Sequence, residues 1–146
     1  MRTEAAFWDS SAIVPVCCVQ EFSVRARITY RKFKKPIIWW GTPIEMQSAL
    51  RKLNQTGFLT NRQSINALRI WEKFRANSHS VILFEKTIEL AEELPEKFGI
   101  RSLDAFQLAS ALIWCSERPR NRPFICADRR LGEAASDAGF DVVALS

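Results

Sequence analysis

Asp9, Glu45, Asp104 and Asp128 stand where an apolar, strand-like run gives way to a helix start, or in the first turn of a helix beside such a point. In open parallel α/β sheets that edge, at the C-terminal ends of the strands, is where ligands bind. All four acids could therefore face one cleft. Packing them together is unfavourable, because two like charges 4 Å apart repel by about 4 kcal/mol at an effective dielectric of 20. A bound divalent cation relieves that repulsion. An all-oxygen ligand set without cysteine or histidine favours a hard ion, Mg²⁺ or Mn²⁺. Such a site polarises a phosphodiester and generates hydroxide from bound water, so the protein need supply no nucleophile.

Each acid also has an ordinary local explanation. Asp9, ahead of Ser10 and Ser11, reads as a helix cap, and Asp128 as the cap of the last helix. Thr42-Pro43-Ile44-Glu45 reads as a capping box with proline at the first helical position. Asp104 lies two residues past Ser102, read as a cap, where the helix dipole favours an anion by about 0.3–1 kcal/mol. Their joint placement at one sheet edge is what favours a shared site over four separate caps.

Other chemistries have less material. His79, the sole histidine, sits beside Asn77 and Ser78 in a loop and reads as surface, which leaves a Ser-His-Asp or Cys-His mechanism unsupported. The D-x-D pair of phosphatases acting on small phosphoesters is absent, since Asp9 is followed by two serines. Arg129 follows Asp128 at a helix N-terminus, where the dipole disfavours cations, and reads as a phosphate contact; Arg130 reads as solvated. The basic runs 31–35 and 118–122 read as solvated surface, with tracking of an RNA backbone as the alternative. Trp39 and Trp40 read as core or subunit interface.

The elements that must position these residues follow from periodicity. Residues 5–8, 36–40, 80–84, 123–127 and 141–145 are apolar runs of strand length. A helix is expected from Ser11 with Pro15 in its first turn, and another from about Gln20 into the basic run. Met46, Ala49, Leu50 and Leu53 form a helical stripe after Gly41, and Ala67, Ile70, Trp71 and Phe74 form the next, behind a start signal at Thr60 and Gln63. A helix from Thr87 loses regularity near Pro95 and closes at Gly99. The segment from Ser102 to Cys115 is apolar nearly all round, hence a buried helix, and Leu131, Ala134, Ala135 and Ala138 mark the last one. Strands alternating with helices predict an α/β fold: a single-domain α/β/α sandwich with a parallel sheet of about five strands.

The 146 residues, 47% of them hydrophobic, suffice for a proper core. No apolar run reaches the roughly 20 residues of a membrane helix, and the N-terminus lacks a signal-peptide pattern, so a cytoplasmic protein is expected. Cys17, Cys18, Cys115 and Cys126 form no C-x-x-C and are expected to be reduced and buried. A net charge of +5 permits a polyanionic partner and makes four clustered acids a local exception.

Three strings carry a family resemblance: Phe7-Trp8-Asp9-Ser10-Ser11-Ala12, Arg101-Ser102-Leu103-Asp104-Ala105-Phe106-Gln107-Leu108-Ala109, and Ile125-Cys126-Ala127-Asp128-Arg129-Arg130-Leu131. In order and spacing the chain resembles a PIN domain, and within that superfamily the VapC-type toxins of bacterial toxin–antitoxin pairs. The resemblance implies a metal-dependent endoribonuclease with Asp9, Glu45, Asp104 and Asp128 as its acids. It also implies a homodimer and a cognate antitoxin covering the site. Ser11 matches a small polar family position that orients Asp9. Where many relatives have threonine or serine two residues before the fourth acid, this chain has Cys126, a weaker donor. A PIN-like RNA-binding or scaffold module without catalysis, and a nuclease with no antitoxin, are the alternatives.

Overall fold

The computed structural model describes residues 4–146. Five strands, β1 (Ala5–Trp8), β2 (Lys35–Trp39), β3 (His79–Val81), β4 (Pro123–Cys126) and β5 (Asp141–Ala144), form one sheet in the order β3-β2-β1-β4-β5. Every pairing is parallel. The helices are α1 (Ser10–Cys17), α2 (Ser23–Lys32), α3 (Thr42–Gln55), α4 (Asn61–Ala76), α5 (Glu85–Phe98), α6 (Ser102–Trp114) and α7 (Arg129–Ala138). This is the expected α/β/α sandwich.

Pleating divides the strand residues between two cores. Ala6, Trp8, Ile38 and Ile125 join Ile13, Ala26, Met46 and Ala67 of the first four helices. Phe7, Ile37, Trp39, Phe124 and Cys126 join Leu94, Leu108 and Leu131 of the last three. The first core is keyed by an aromatic pile in which Phe74 meets Trp8, Tyr30 and Trp71 with ring centroids 5.4, 4.8 and 6.1 Å away. Each such pair is worth about 0.5–1.5 kcal/mol beyond its burial.

Several boundaries differ from the sequence expectation. Asp9 caps α1, so Ser10 is its first residue and Pro15 lies inside the helix, past the first turn. The proline lacks the N–H that would reach the Ser11 carbonyl, a loss that a helix of 8 residues near its end tolerates. Pro95 is likewise carried inside α5, which closes on Gly99 at φ 65°. β3 is shorter than expected and α5 starts at Glu85. The Thr60–Gln63 capping box is present. α6 ends without a glycine: Glu117 N–H bonds Leu112 O at 2.7 Å and Ser116 N–H bonds Ile113 O at 3.1 Å, a Schellman closure in which Ser116 takes the left-handed conformation, φ 54°. The four cysteines are free and buried, and His79 is exposed at the start of β3.

With β1 flanked by β2 and β4, the strand order reverses between β1 and β4. Connections leaving β1 and β4 thus diverge, and a crevice opens at their C-terminal ends.

Candidate active site

Asp9 follows β1 directly and Asp128 comes two residues after β4, so both stand at that crevice. The register that pairs Trp8 with Ile125 sets them side by side. Ser11 locks the junction. Its hydroxyl donates to Asp9 Oδ2 and accepts the backbone N–H groups of Ala127 at 2.9 Å and Asp128 at 3.2 Å. One side chain thereby ties the end of β1 to the end of β4.

Asp9 and Asp128 do cap their helices, and the cap leaves chemistry available. Asp128 uses Oδ1 to accept Leu131 N–H at 3.1 Å, and Asp9 uses Oδ2 for Ser11 N–H at 3.3 Å. A carboxylate has a second oxygen, so capping and ligation do not compete.

The capping box proposed for Glu45 is absent. Gly41, not Thr42, is the N-cap residue of α3, and Thr42 is buried with its hydroxyl unpartnered. Glu45 instead accepts Trp39 Nε1–H at Oε1, 2.7 Å, and Gln107 Nε2–H at Oε2, 3.3 Å. Gly41 permits this. A Cβ there would stand 2.2 Å from the Trp39 ring, so only glycine lets the indole fold over the turn. The same ring stacks on Phe106 of α6, centroids 5.7 Å apart and 6° from parallel. Asp104 sits in the first turn of α6, whose cap is Arg101 without a side-chain bond; the expected Ser102 cap does not form. The backbone N–H of Arg101 bonds the Asp104 carboxylate.

Electrostatics join the four acids. Burial is the main cause that raises Asp9 above the usual carboxylate range, and Asp128 adds to it. Burial pushes Glu45 to about 7, with Asp9 and Asp104 adding repulsion against the Trp39 bond. Asp104 is raised first by burial and then by Asp128. The repulsions close a ring from Asp9 to Glu45, Asp104, Asp128 and back to Asp9. Among the described residues, no group of three or more Asp, Glu, His or Cys side chains stands close enough together to hold a metal ion. The donor chemistry nevertheless fits a hard divalent cation: oxygens only, mutually repelling, and partly desolvated. Asp9, Asp104 and Asp128 are the side chains that would hold such an ion.

A cleft of about 490 Å³ runs along Arg101, Ser102, Leu103, Asp104, Asp128 and Arg130. Arg130, read as solvated from sequence, lines this cleft, whereas Arg129, read as the phosphate contact, is exposed and does not. Successive helical residues point about 100° apart, so only one of the pair can face Asp104. Cys126, at the position where many relatives have a hydroxyl, is buried in the second core, its Sγ 3.0 Å from where a Cβ on Gly132 would be. Burial, then Asp9 and Asp128, pushes this thiol up to about 12. Trp40 is 60% exposed rather than core.

Sequence reasoning missed Gln107, Trp39 and Arg101 as site residues. Gln107 is 3% exposed, bonds both Glu45 and Asp9, and leaves Oε1 without a partner. The signal was available: Gln107 is three residues from Asp104 on an otherwise apolar helix, so both share a face.

No family model matches the chain, and no curated protein matches it at a significant level. Among solved structures it is similar to the crystal structure of PAE2754 from Pyrobaculum aerophilum, with a TM-score of 0.62 over 98% of this chain and 91% of that one, at 19% identity. A likeness at that identity establishes the fold, a parallel α/β/α sandwich, and leaves the chemistry to the residues themselves.

Proposed function

We propose that the protein is a Mg²⁺- or Mn²⁺-dependent endoribonuclease of the PIN type, similar to VapC toxins, that acts as a homodimer and is inhibited by a cognate antitoxin. The observation that carries the nuclease reading is the closed ring of repelling carboxylates at the switch point of the sheet. The bound ion would polarise the phosphodiester and supply an activated water. Asp9, Asp104 and Asp128 offer it oxygen ligands. Glu45, poised at about 7, is suited to take the proton of the attacking water at Oε2 near neutral pH. Gln107 and Trp39 hold that carboxylate in place, and Arg130 and Arg101 meet the phosphate from the cleft wall. The dimer and the antitoxin rest on the resemblance of the three strings alone.

One observation favours a second reading, an RNA-binding module without catalysis: Asp9 is buried, and that burial raises its pKa, disfavouring the charged form that a cation would need. Cleavage of labelled RNA with Mg²⁺ or Mn²⁺, with and without chelator, separates the two. Loss of cleavage in chelator and in both Asp9→Asn and Asp104→Asn is expected; activity that survives both substitutions rules this mechanism out.

A further inference from the structure

The two basic runs enter the sheet at the edge opposite the acids. Residues 31–35 lead into β2 at Lys35, and residues 116–122 lead into β4 at Pro123. Lys35 is level with Ala5 of β1, and Phe124 with Phe7, so the two entry points flank the start of β1. They lie two strand spacings apart, roughly 10 Å. Lys34, Lys35, Arg118 and Arg120 are thus brought onto one edge with Arg122, although 80 or so residues separate the runs.

The helix dipole explains Arg31 and Lys32, which sit in the last turn of α2. It does not explain Lys34, Lys35, Arg118, Arg120 or Arg122, which lie outside helices. Neighbouring acids do not account for them either. Glu4, Glu117 and Asp141 share this edge, and the one ion pair among the described residues joins Glu117 to Lys86, at 3.6 Å. The belt's cations are therefore unpaired among the described residues.

The arginine loop is firmly built. Ser116, Glu117 and Asn121 all hold left-handed backbone, uncommon for residues other than glycine. The turn from Pro119 to Arg122 closes by a 2.9 Å backbone bond, with Asn121 at the position that needs φ above zero, which sets Arg120 at its tip. Asp141 N–H bonds Arg122 O at 2.9 Å, and the Arg122 guanidinium lies 5.4 Å from the centre of the Trp114 ring. These backbone conformations, held by the surrounding bonds, give the loop one defined shape. Guanidinium groups in a fixed array suit phosphate oxygens. No exposed large hydrophobic lies on either run, so there is nothing to insert into a membrane.

We propose that this N-terminal sheet edge is a second binding surface, for the phosphate backbone of RNA, remote from the carboxylate cleft. The choice of RNA as the polyanion rests on the nuclease reading; the surface itself does not. A strand held there is positioned by its backbone and carries no sequence information.

The test measures binding of a labelled 20-nucleotide RNA and of a trinucleotide by anisotropy, in chelator, with all chains carrying Asp104→Asn to prevent cleavage. The belt variant is Lys34→Glu/Lys35→Glu/Arg120→Glu. Its control, Arg51→Glu/Arg62→Glu/Arg69→Glu, makes the same charge change on exposed positions of α3 and α4. The belt variant is expected to lose tenfold or more in affinity for the long RNA, with the log–log salt slope smaller by about 2. Trinucleotide binding and the control should change by less than threefold. Equal losses in belt and control, or no loss in the belt, overturn the proposal. So does loss of binding to phosphatidylserine vesicles with RNA binding unchanged. Glutamine in place of glutamate at the belt positions covers a reversal that fails to fold. A chain with native Asp104 that binds RNA through the belt yet cleaves nothing with Mg²⁺ refutes the nuclease reading and leaves the belt standing.

Discussion

Trp39 Nε1 donates to Glu45 Oε1 at 2.7 Å across the turn that Gly41 makes. The bond stabilises the charged carboxylate against burial, so its loss must raise the Glu45 pKa. Trp39→Phe keeps one ring for Phe106 and removes the donor together with the second ring of the indole. A bond to a charged group is worth about 1.5 kcal/mol or more, or roughly one pH unit. The acidic limb of the pH–rate profile should move up by about that much; an unmoved limb means Glu45 is not the titrating group.

Asp9→Asn separates function from stability. Asparagine caps a helix as well as aspartate does and removes one member of the repelling ring. Cleavage should fall by about a thousandfold or more, while the melting temperature in chelator at pH 8 stays level or rises by a few degrees. A variant that melts well below the parent would show that the carboxylate is there for the fold.

Stability should depend on pH in an unusual direction. Glu45 is raised from 4.5 to about 7, so between those values the folded chain holds a proton that the unfolded chain has released. Stability is therefore lost as pH rises through that window. Asp9 and Asp104, also raised, act in the same sense. In chelator the melting temperature should be higher near pH 5 than near pH 8, and Glu45→Gln should flatten the slope. Mg²⁺ should restore stability at pH 8 by mass action. A profile that rises from pH 5 to 8 would contradict the burial of these acids.

Ser11→Ala takes away a hydroxyl with three partners. Two backbone N–H groups lose their acceptor, at a cost of about 1–3 kcal/mol. Denaturant titration should show a lower midpoint at constant slope, with faster hydrogen exchange at Ala127 and Asp128. Ser11→Thr should retain most of the stability. Unchanged exchange at those amides would mean that the hydroxyl does not join the strand ends.

Ser116→Gly should stabilise the protein. Ser116 holds φ 54° at the C-terminus of α6, a conformation that costs a non-glycine residue about 1 kcal/mol or more, partly offset by glycine's greater freedom in the unfolded chain. A gain of roughly 0.5 kcal/mol is expected by calorimetry, and a loss would indicate that the serine hydroxyl has its own partner there.

The five strands and two of the acids were legible in the sequence because they depend on local pattern, whereas the order of the strands across the sheet was not. Asp9 and Asp128 follow apolar runs directly, and the runs are the strands. The local alternative for Glu45 failed: Thr42-Pro43-Ile44-Glu45 satisfies the capping-box rule, but the bond that overrides it comes from Trp39, on the preceding strand. Gln107 was passed over because a lone amide on an apolar helix has no spacing partner except Asp104, and what it touches is 62 residues away. That Arg130 and not Arg129 lines the cleft was not legible, because a string shows that two cations follow Asp128 but not where the helix phase turns each one. Pro15 was expected in the first turn of its helix and Pro95 at a loss of regularity, whereas both lie inside continuous helix.

Ser11 meets the amides of residues 127 and 128 across 116 and 117 positions of sequence. A growing chain emerging from the ribosome therefore has no centre to speak of until β4 and α7 have been made and have docked beside β1. Long-range pairings of this kind close late. Under the proposed ribonuclease reading, this delay would keep each unfinished copy harmless to the message that encodes it.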